Sequence, residues 1–143
     1  MIRRAGHADE EVLLELIKEF YEVDGHEFHP VTVKGGLSPL LTSDRYGVVL
    51  LAEDPDPVGY AVLVWSYSIE SGGRDALLDE IYVRTPGEGI GRALMDEVFE
   101  EMRRQGLRRI FLETEAENEQ ARAFYRSIGF NAEDSIWMTA DIG

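Results

Sequence analysis

One segment constrains the fold of this chain more than any other: Leu78-Asp79-Glu80-Ile81-Tyr82-Val83-Arg84-Thr85-Pro86-Gly87-Glu88-Gly89-Ile90-Gly91-Arg92-Ala93-Leu94-Met95. It reads as a strand, a turn with glycines at 87, 89 and 91, and the opening of an amphipathic helix. Glycines there let backbone approach a ligand closely. The first helical turn offers N–H groups without intrahelical partners at the positive end of the helix dipole, which suits an anion such as a phosphate. A dinucleotide fingerprint, Gly-x-Gly-x-x-Gly, fits less well, because residue 92 is arginine and the chain after Glu113 is too short for the rest of such a unit.

Periodicity gives the order of elements. Ile2 to Ala5 suits a short edge strand, and Asp9 stands as an N-cap before Val12, Leu13, Leu16, Ile17, Phe20 and Tyr21 at helical spacing. Gly25 and Pro30 close that helix, and a short second helix is expected near Gly36 to Leu41. Strands follow at Tyr46 to Glu53, Val58 to Tyr67 and Ala76 to Val83, the first two joined by Asp54-Pro55-Asp56-Pro57. A long helix from Gly89 to Gln105, with Leu94, Val98 and Met102 four apart, stops at Gly106. A strand at Arg108 to Glu113, a helix at Glu117 to Ile128 and a last strand at Phe130 to Ala140 complete the order. The apolar positions Leu78, Ile81 and Val83 slip from the strand period of two, which points to a β-bulge at Asp79-Glu80.

Composition narrows the function. The length of 143 residues suits a single domain spanning 1–143, and 44% hydrophobic residues suit a packed core. No apolar run approaches the roughly 20 residues that cross a bilayer, and the N-terminus lacks the pattern of a signal peptide, so no membrane role and a cytoplasmic location are expected. The absence of cysteine excludes disulfides, thiolate metal sites and a cysteine nucleophile. A net charge of −14 argues against nucleic acid as a partner and favours a cationic acceptor, although solubility alone accounts for such a surface. His26 and His29 near Asp24 invite a metal reading, but Gly25 and Pro30 break the helix it needs and no third ligand is fixed, so no metal is expected.

A second segment, Asn118-Glu119-Gln120-Ala121-Arg122-Ala123-Phe124-Tyr125-Arg126-Ser127-Ile128-Gly129-Phe130, complements the glycine turn. Together the two resemble the signature motifs of the GNAT superfamily of acyl-CoA-dependent N-acetyltransferases: its Arg/Gln-x-x-Gly-x-Gly/Ala pyrophosphate loop and its Asn-x-x-Ala-x-x-Phe-Tyr-x-x-x-Gly-Phe segment. The first motif departs from the pattern, with Pro86 where Arg or Gln is usual and a shorter turn; Gly89, Ile90 and Gly91 are kept. The resemblance implies an α/β (α+β) GNAT fold, a mixed and mostly antiparallel sheet with helices on both faces. It also implies transfer of acetyl from acetyl-CoA to a primary amine of a small molecule or peptide, directly within a ternary complex. Homodimers are common among such proteins, so the resemblance also allows a homodimer here. The alternative, suggested by Pro86, is a CoA-binding sensor with weak or no turnover.

By the same resemblance, main-chain groups of Gly87, Glu88, Gly89, Ile90, Gly91 and Arg92 hold the CoA pyrophosphate, and those of Ile81, Tyr82 and Val83 pair with the pantetheine arm. Asn118 and Ala121 belong to the cofactor side of the second motif, and Tyr125 is the acid that protonates the leaving thiolate, a proton a phenol of ordinary pKa near 10 can supply. The acceptor amine must shed a proton before attack. Glu80 is the first candidate to take it, directly or through water, with Asp79 next and Glu113 also available; positioning alone can supply much of the rate. Phe20, Tyr21, Glu22 and Phe28 are expected to wall the acceptor pocket.

Overall fold

Three long antiparallel strands carry the architecture. The structure, a computed structural model, describes residues 1–143, in two compact units, Met1–Leu112 and Glu113–Gly143. In the first, β1 (Ile2–Arg4), β2 (Gly47–Glu53), β3 (Pro57–Ser68), β4 (Gly73–Val83) and β5 (Ile110–Phe111) form one sheet in sequence order. All neighbours are antiparallel except β4 and β5, which pair in parallel through Ala76↔Ile110 and Leu77↔Phe111 alone. Three helices belong to this unit: α1 (Glu10–Asp24), α2 (Pro30–Thr42) and α3 (Ile90–Gln105).

Strand β2 is buried from Gly47 to Ala52, as an almost unbroken apolar run requires when both faces of a strand are covered. Val49 and Leu51 join Leu13, Leu16, Ile17, Leu37 and Leu41 in the core under α1 and α2. Their pleat neighbours Val48 and Leu50 lie on the face toward α3, whose Leu94, Met95 and Val98 are fully buried. Gly59 lets β3 and β4 meet: a Cβ there would stand 2.6 Å from the Tyr82 carbonyl oxygen.

Two expectations need correction in this unit. Asp9 occupies the position before α1, but its carboxylate does not cap that helix; it accepts from the Gly6 N–H at 2.8 Å and from both terminal nitrogens of Arg3, at 2.9 and 2.7 Å. The second helix is also twice as long as expected. It begins at Pro30, whose fixed φ suits a first helical turn, and runs through Gly35, Gly36 and Pro39 because Leu37 and Leu41 are buried against the core.

The second unit contains α4 (Glu119–Ser127). The Asn118 side chain caps it, Oδ1 accepting from the Ala121 N–H at 3.0 Å. The strand expected at Phe130 to Ala140 is not formed. A strand needs a partner for its N–H and C=O groups as well as apolar residues, and here Ile136, Trp137 and Met138 stay exposed outside the sheet.

Candidate active site

The site begins with a change of register on β4. Val62 of β3 faces Glu80, and Leu63 faces Leu78, so Asp79 is an extra residue without a cross-strand partner. This is the expected bulge. In a regular strand Glu80 would share a face with Leu78; the inserted residue turns it to the opposite face, the one carrying Tyr60 and Val62. Leu78, Ile81 and Val83 then share the α3 side, which explains their irregular spacing.

On that face Glu80 meets two phenols. Tyr21 of α1 donates to Oε2 at 2.5 Å, and Tyr60 of β3 donates to Oε1 at 2.7 Å. Tyr60 is completely buried, and its ring lies 6.5 Å from Phe20 and 6.3 Å from Tyr82. Burial raises the Glu80 pKa; the two phenol bonds pull it back, the neighbouring Asp79 charge adds to the rise and His26 opposes it, and the net shift is upward. Tyr21 and Tyr60 are themselves pushed well above the usual phenol range, by burial first and then by their hydrogen bonds to Glu80 and its charge, so both stay protonated donors. Asp79 is exposed at its surface, yet enough protein surrounds its carboxyl for desolvation to raise its pKa too.

An aromatic wall adjoins this carboxylate. Phe20 stacks on Tyr82 at 5.5 Å, and Tyr21 meets Phe28 edge-on at 6.1 Å and His26 at 5.9 Å. Thus Phe20, Tyr21 and Phe28 do come together, whereas Glu22 is exposed on the outer side of α1 and takes no part in the cluster. Arg84 fixes the far edge, gripping both oxygens of Glu19 at 2.8 and 2.5 Å while donating to the Pro57 carbonyl at 3.0 Å. The histidines pair with their own neighbours, His26 with Asp24 at 2.8 Å and His29 with Glu27 at 3.0 Å, and no group of three or more metal-ligating side chains gathers anywhere.

Beyond the bulge β4 offers its backbone. Pairing with β5 ends at Leu77, so Leu78 to Val83, including Ile81, Tyr82 and Val83, have no strand beside them on that edge of the sheet. The turn that follows uses glycine for its conformation. Gly87 has φ 90° and Gly89, at the N-cap of α3, has φ 80°, values that side chains avoid; space is not the constraint, since a Cβ at either would touch nothing within 4 Å. The Ala93 N–H bonds to the Gly89 carbonyl at 3.0 Å, which leaves the N–H groups of Ile90, Gly91 and Arg92 without helical partners. Glu88 is exposed, and Arg92 is exposed with Asp96 3.8 Å away. The start of α3 thus presents main-chain donors of the kind that suit an anion, beside an unpaired strand edge.

Within the second unit, Tyr125 packs edge-on between Phe124 at 5.3 Å and Phe130 at 5.5 Å, and burial raises its pKa. Tyr60 is the residue that sequence reasoning missed; a tyrosine in an apolar strand carries no sign of its hydroxyl's partner. An open cleft of about 700 Å³ lies elsewhere, where the start of β4 meets the end of α3, lined by Ser71, Asp75, Arg74, Gln105 and Arg108 among others. Its buried Asp75 is occupied by the Ser71 hydroxyl at 2.8 Å, so volume there is not matched by a poised acid or base.

Comparison with known proteins identifies the class. Residues 10–130 match the model of the Acetyltransferase (GNAT) family, and the chain belongs to that family. Among curated proteins it is similar to the mycothiol acetyltransferase of Beutenbergia cavernae, 43% identical over 61 residues that make up 39% of this chain and 20% of that protein. It is also similar to the ribosomal protein bS18-alanine N-acetyltransferase of Escherichia coli K12, 41% identical over 44 residues, or 31% of this chain and 30% of that protein. The matched stretches are therefore less than a third of either relative. Among solved structures, a protein from Arthrobacter sp. FB24 described as an acetyltransferase superposes with a TM-score of 0.86 at 29% identity, over 99% of this chain and 96% of that one. The mixed five-stranded sheet with four helices is the architecture of these GNAT neighbours. No helix is long and apolar enough to cross a membrane.

Proposed function

We propose that this acetyltransferase moves an acetyl group from acetyl-CoA to a primary amine, by direct transfer in a ternary complex, with residues 1–143 as one catalytic domain working in the cytoplasm. The observation that carries the reading is the composition of β4. One strand supplies a bulge-directed carboxylate clamped by two phenols, an unpaired edge beyond the bulge, and a glycine turn leading into unpaired helical N–H groups.

In this reading the N–H groups of Ile90, Gly91 and Arg92 meet the pyrophosphate oxygens, with Gly87 and Gly89 shaping the turn and Glu88 pointed away. The open edge at Ile81, Tyr82 and Val83 receives the pantetheine amides, and a main-chain N–H beside the bulge steadies the developing oxyanion. Glu80, its pKa raised, takes the proton that the amine loses as its nitrogen attacks the thioester carbon. Asp79 attracts the cationic form of the acceptor before that proton leaves. Phe20, Tyr21 and Phe28 form the wall against which the acceptor's carbon skeleton rests. Tyr125 returns a proton to the departing thiolate, a role it takes from its motif, with Asn118 and Ala121 ordering the helix start.

The test is release of free thiol from acetyl-CoA across a panel of small amines, polyamines, aminoglycosides and peptide N-termini, with the acetylated product weighed by mass spectrometry. Turnover with at least one class supports the enzyme. Acetyl-CoA binding by calorimetry with no turnover on any class supports the sensor reading instead.

A further inference from the structure

The two phenols on Glu80 are not equivalent, and the difference assigns work to a residue outside the acetyl-transfer motifs. Tyr60 is fully buried in β3, enclosed by the rings of Phe20 and Tyr82, and its hydroxyl has Glu80 Oε1 as its acceptor. Tyr21 comes from α1, is only half-buried, and serves Oε2 from the side where Phe28 and His26 lie. A carboxylate oxygen can accept more than one hydrogen bond, so each oxygen keeps acceptor capacity, but a buried phenol proton with one outlet will not yield Oε1. An incoming proton is therefore directed to Oε2.

We propose that Tyr60 is the positioning residue of the proton acceptor: its hydroxyl holds Glu80 ionised and oriented, so that the amine's proton is received at Oε2. The inference rests on the reading of Glu80 as the group that takes that proton. The other charged groups acting on Glu80 are Asp79 on β4 and His26 just past the end of α1; neither donates to Oε1. Removal of the Tyr60 hydroxyl leaves those groups in place and withdraws one donor from the ionised form, which moves the Glu80 pKa upward.

The experiment compares wild type with Tyr60→Phe, following the Glu80 carboxyl by NMR in glutamate-labelled protein, its resonance assigned by loss in Glu80→Gln. The expected result is a rise of roughly one pH unit in the Glu80 midpoint, the worth of one hydrogen bond to a charged group. The acid limb of kcat/KM for the amine should move to higher pH with it, lowering the rate about tenfold at any pH below the limb, while the acetyl-CoA KM stays unchanged. A folded Tyr60→Phe protein with the wild-type midpoint overturns the proposal. Where Tyr60→Phe does not fold, site-specific 3,5-difluorotyrosine at Tyr60 keeps ring and hydroxyl but donates more strongly; the midpoint must then fall, and an unchanged one is equally fatal. A midpoint that moves while Glu80→Gln retains the amine rate overturns it from the other side: the clamp stands, but Glu80 is not the proton acceptor, and Tyr60 loses its catalytic sense with it.

Discussion

The middle of β4 and the turn that ends it are neighbours in sequence and work by opposite means. Around Glu80 the chemistry lies in side chains gathered from α1, β3 and β4, with partners 59 and 20 residues away. At Gly87 to Arg92 the proposed binding groups are main-chain N–H groups, and Glu88 and Arg92 are exposed. The first site depends on burial, which shifts protonation; the second depends on conformation, which only glycine adopts comfortably. Mutations should therefore separate them, the first through kcat and pH, the second through acetyl-CoA affinity.

The largest effects belong to proton transfer. Glu80→Gln is expected to lower kcat/KM for the amine by roughly 10²–10⁴-fold and to erase the acid limb of the pH profile. That limb should lie above the ordinary carboxylate range, because the fold raises the Glu80 pKa, and activity is lost as pH falls through it. The same sign has a stability consequence. A carboxyl whose folded pKa is raised costs stability once ionised, so the variant should keep its melting temperature at neutral pH. Tyr125→Phe should cost kcat within the same range at saturating amine. Wild-type kcat in either variant, with chemistry shown to limit the rate, removes that residue from proton transfer.

A smaller effect tests the turn. Gly89→Val forces a β-branched side chain into φ 80°, a strain of about 1–3 kcal/mol that disturbs the N–H groups opening α3. Acetyl-CoA affinity should weaken by roughly ten- to hundredfold on that scale, while the amine pH profile stays put. Glu88→Ala, which alters an exposed side chain alone, should bind acetyl-CoA at least as well as wild type. Equal losses in the two variants, read by calorimetry, would mean that the turn binds through side chains after all.

The contrast also explains what the sequence revealed. A glycine turn after a strand is a local pattern, and the bulge showed itself in the three-then-two spacing of Leu78, Ile81 and Val83. The Glu80 site is assembled by tertiary structure: Glu80 and Tyr21 are candidates one by one, but nothing local joins them to Tyr60. The same limit shaped the errors in the fold. Gly35, Gly36 and Pro39 mask α2, which packing of Leu37 and Leu41 sustains, and the apolar residues between Phe130 and Ala140 make a strand only where a partner is present.

Scaffold stability sharpens the comparison from beneath the turn, since α3 must be held for its first N–H groups to be placed. Glu101 of α3 is 2% exposed and accepts from Arg4 at 2.9 Å, Arg104 at 3.3 Å and Gln105 at 3.4 Å. Burial pushes its pKa up, but these donors outweigh burial and the net direction is down. Arg4→Met should destabilise by about 1–2 kcal/mol, modest because Arg4 is itself partly exposed and the other donors remain. A carboxyl with a lowered folded pKa contributes stability above its unfolded value of about 4.3 and loses it as pH falls through the folded one. The melting gap between variant and wild type should therefore be full at pH 7 and narrow in acid. A gap independent of pH would assign the loss to packing of the arginine stem.

The smallest expected effect comes from the charge of the whole chain, and it too should split the two sites. With 28 acidic and 14 basic side chains, the field should, on the proposed function, attract a cationic amine toward Asp79 and Glu80 and repel a diphosphate at the glycine turn. Salt screens both over about 8–10 Å at physiological strength. The amine KM should rise a few-fold, to order of magnitude, from low to high ionic strength, and the acetyl-CoA KM should stay level or fall. Asp79→Asn should flatten the amine slope without changing the acetyl-CoA slope, because that carboxylate adjoins Glu80, the proposed proton acceptor, at the bulge. Parallel slopes for the two substrates would end the steering argument, and recognition of the acceptor would then rest on the shape of the wall formed by Phe20, Tyr21 and Phe28.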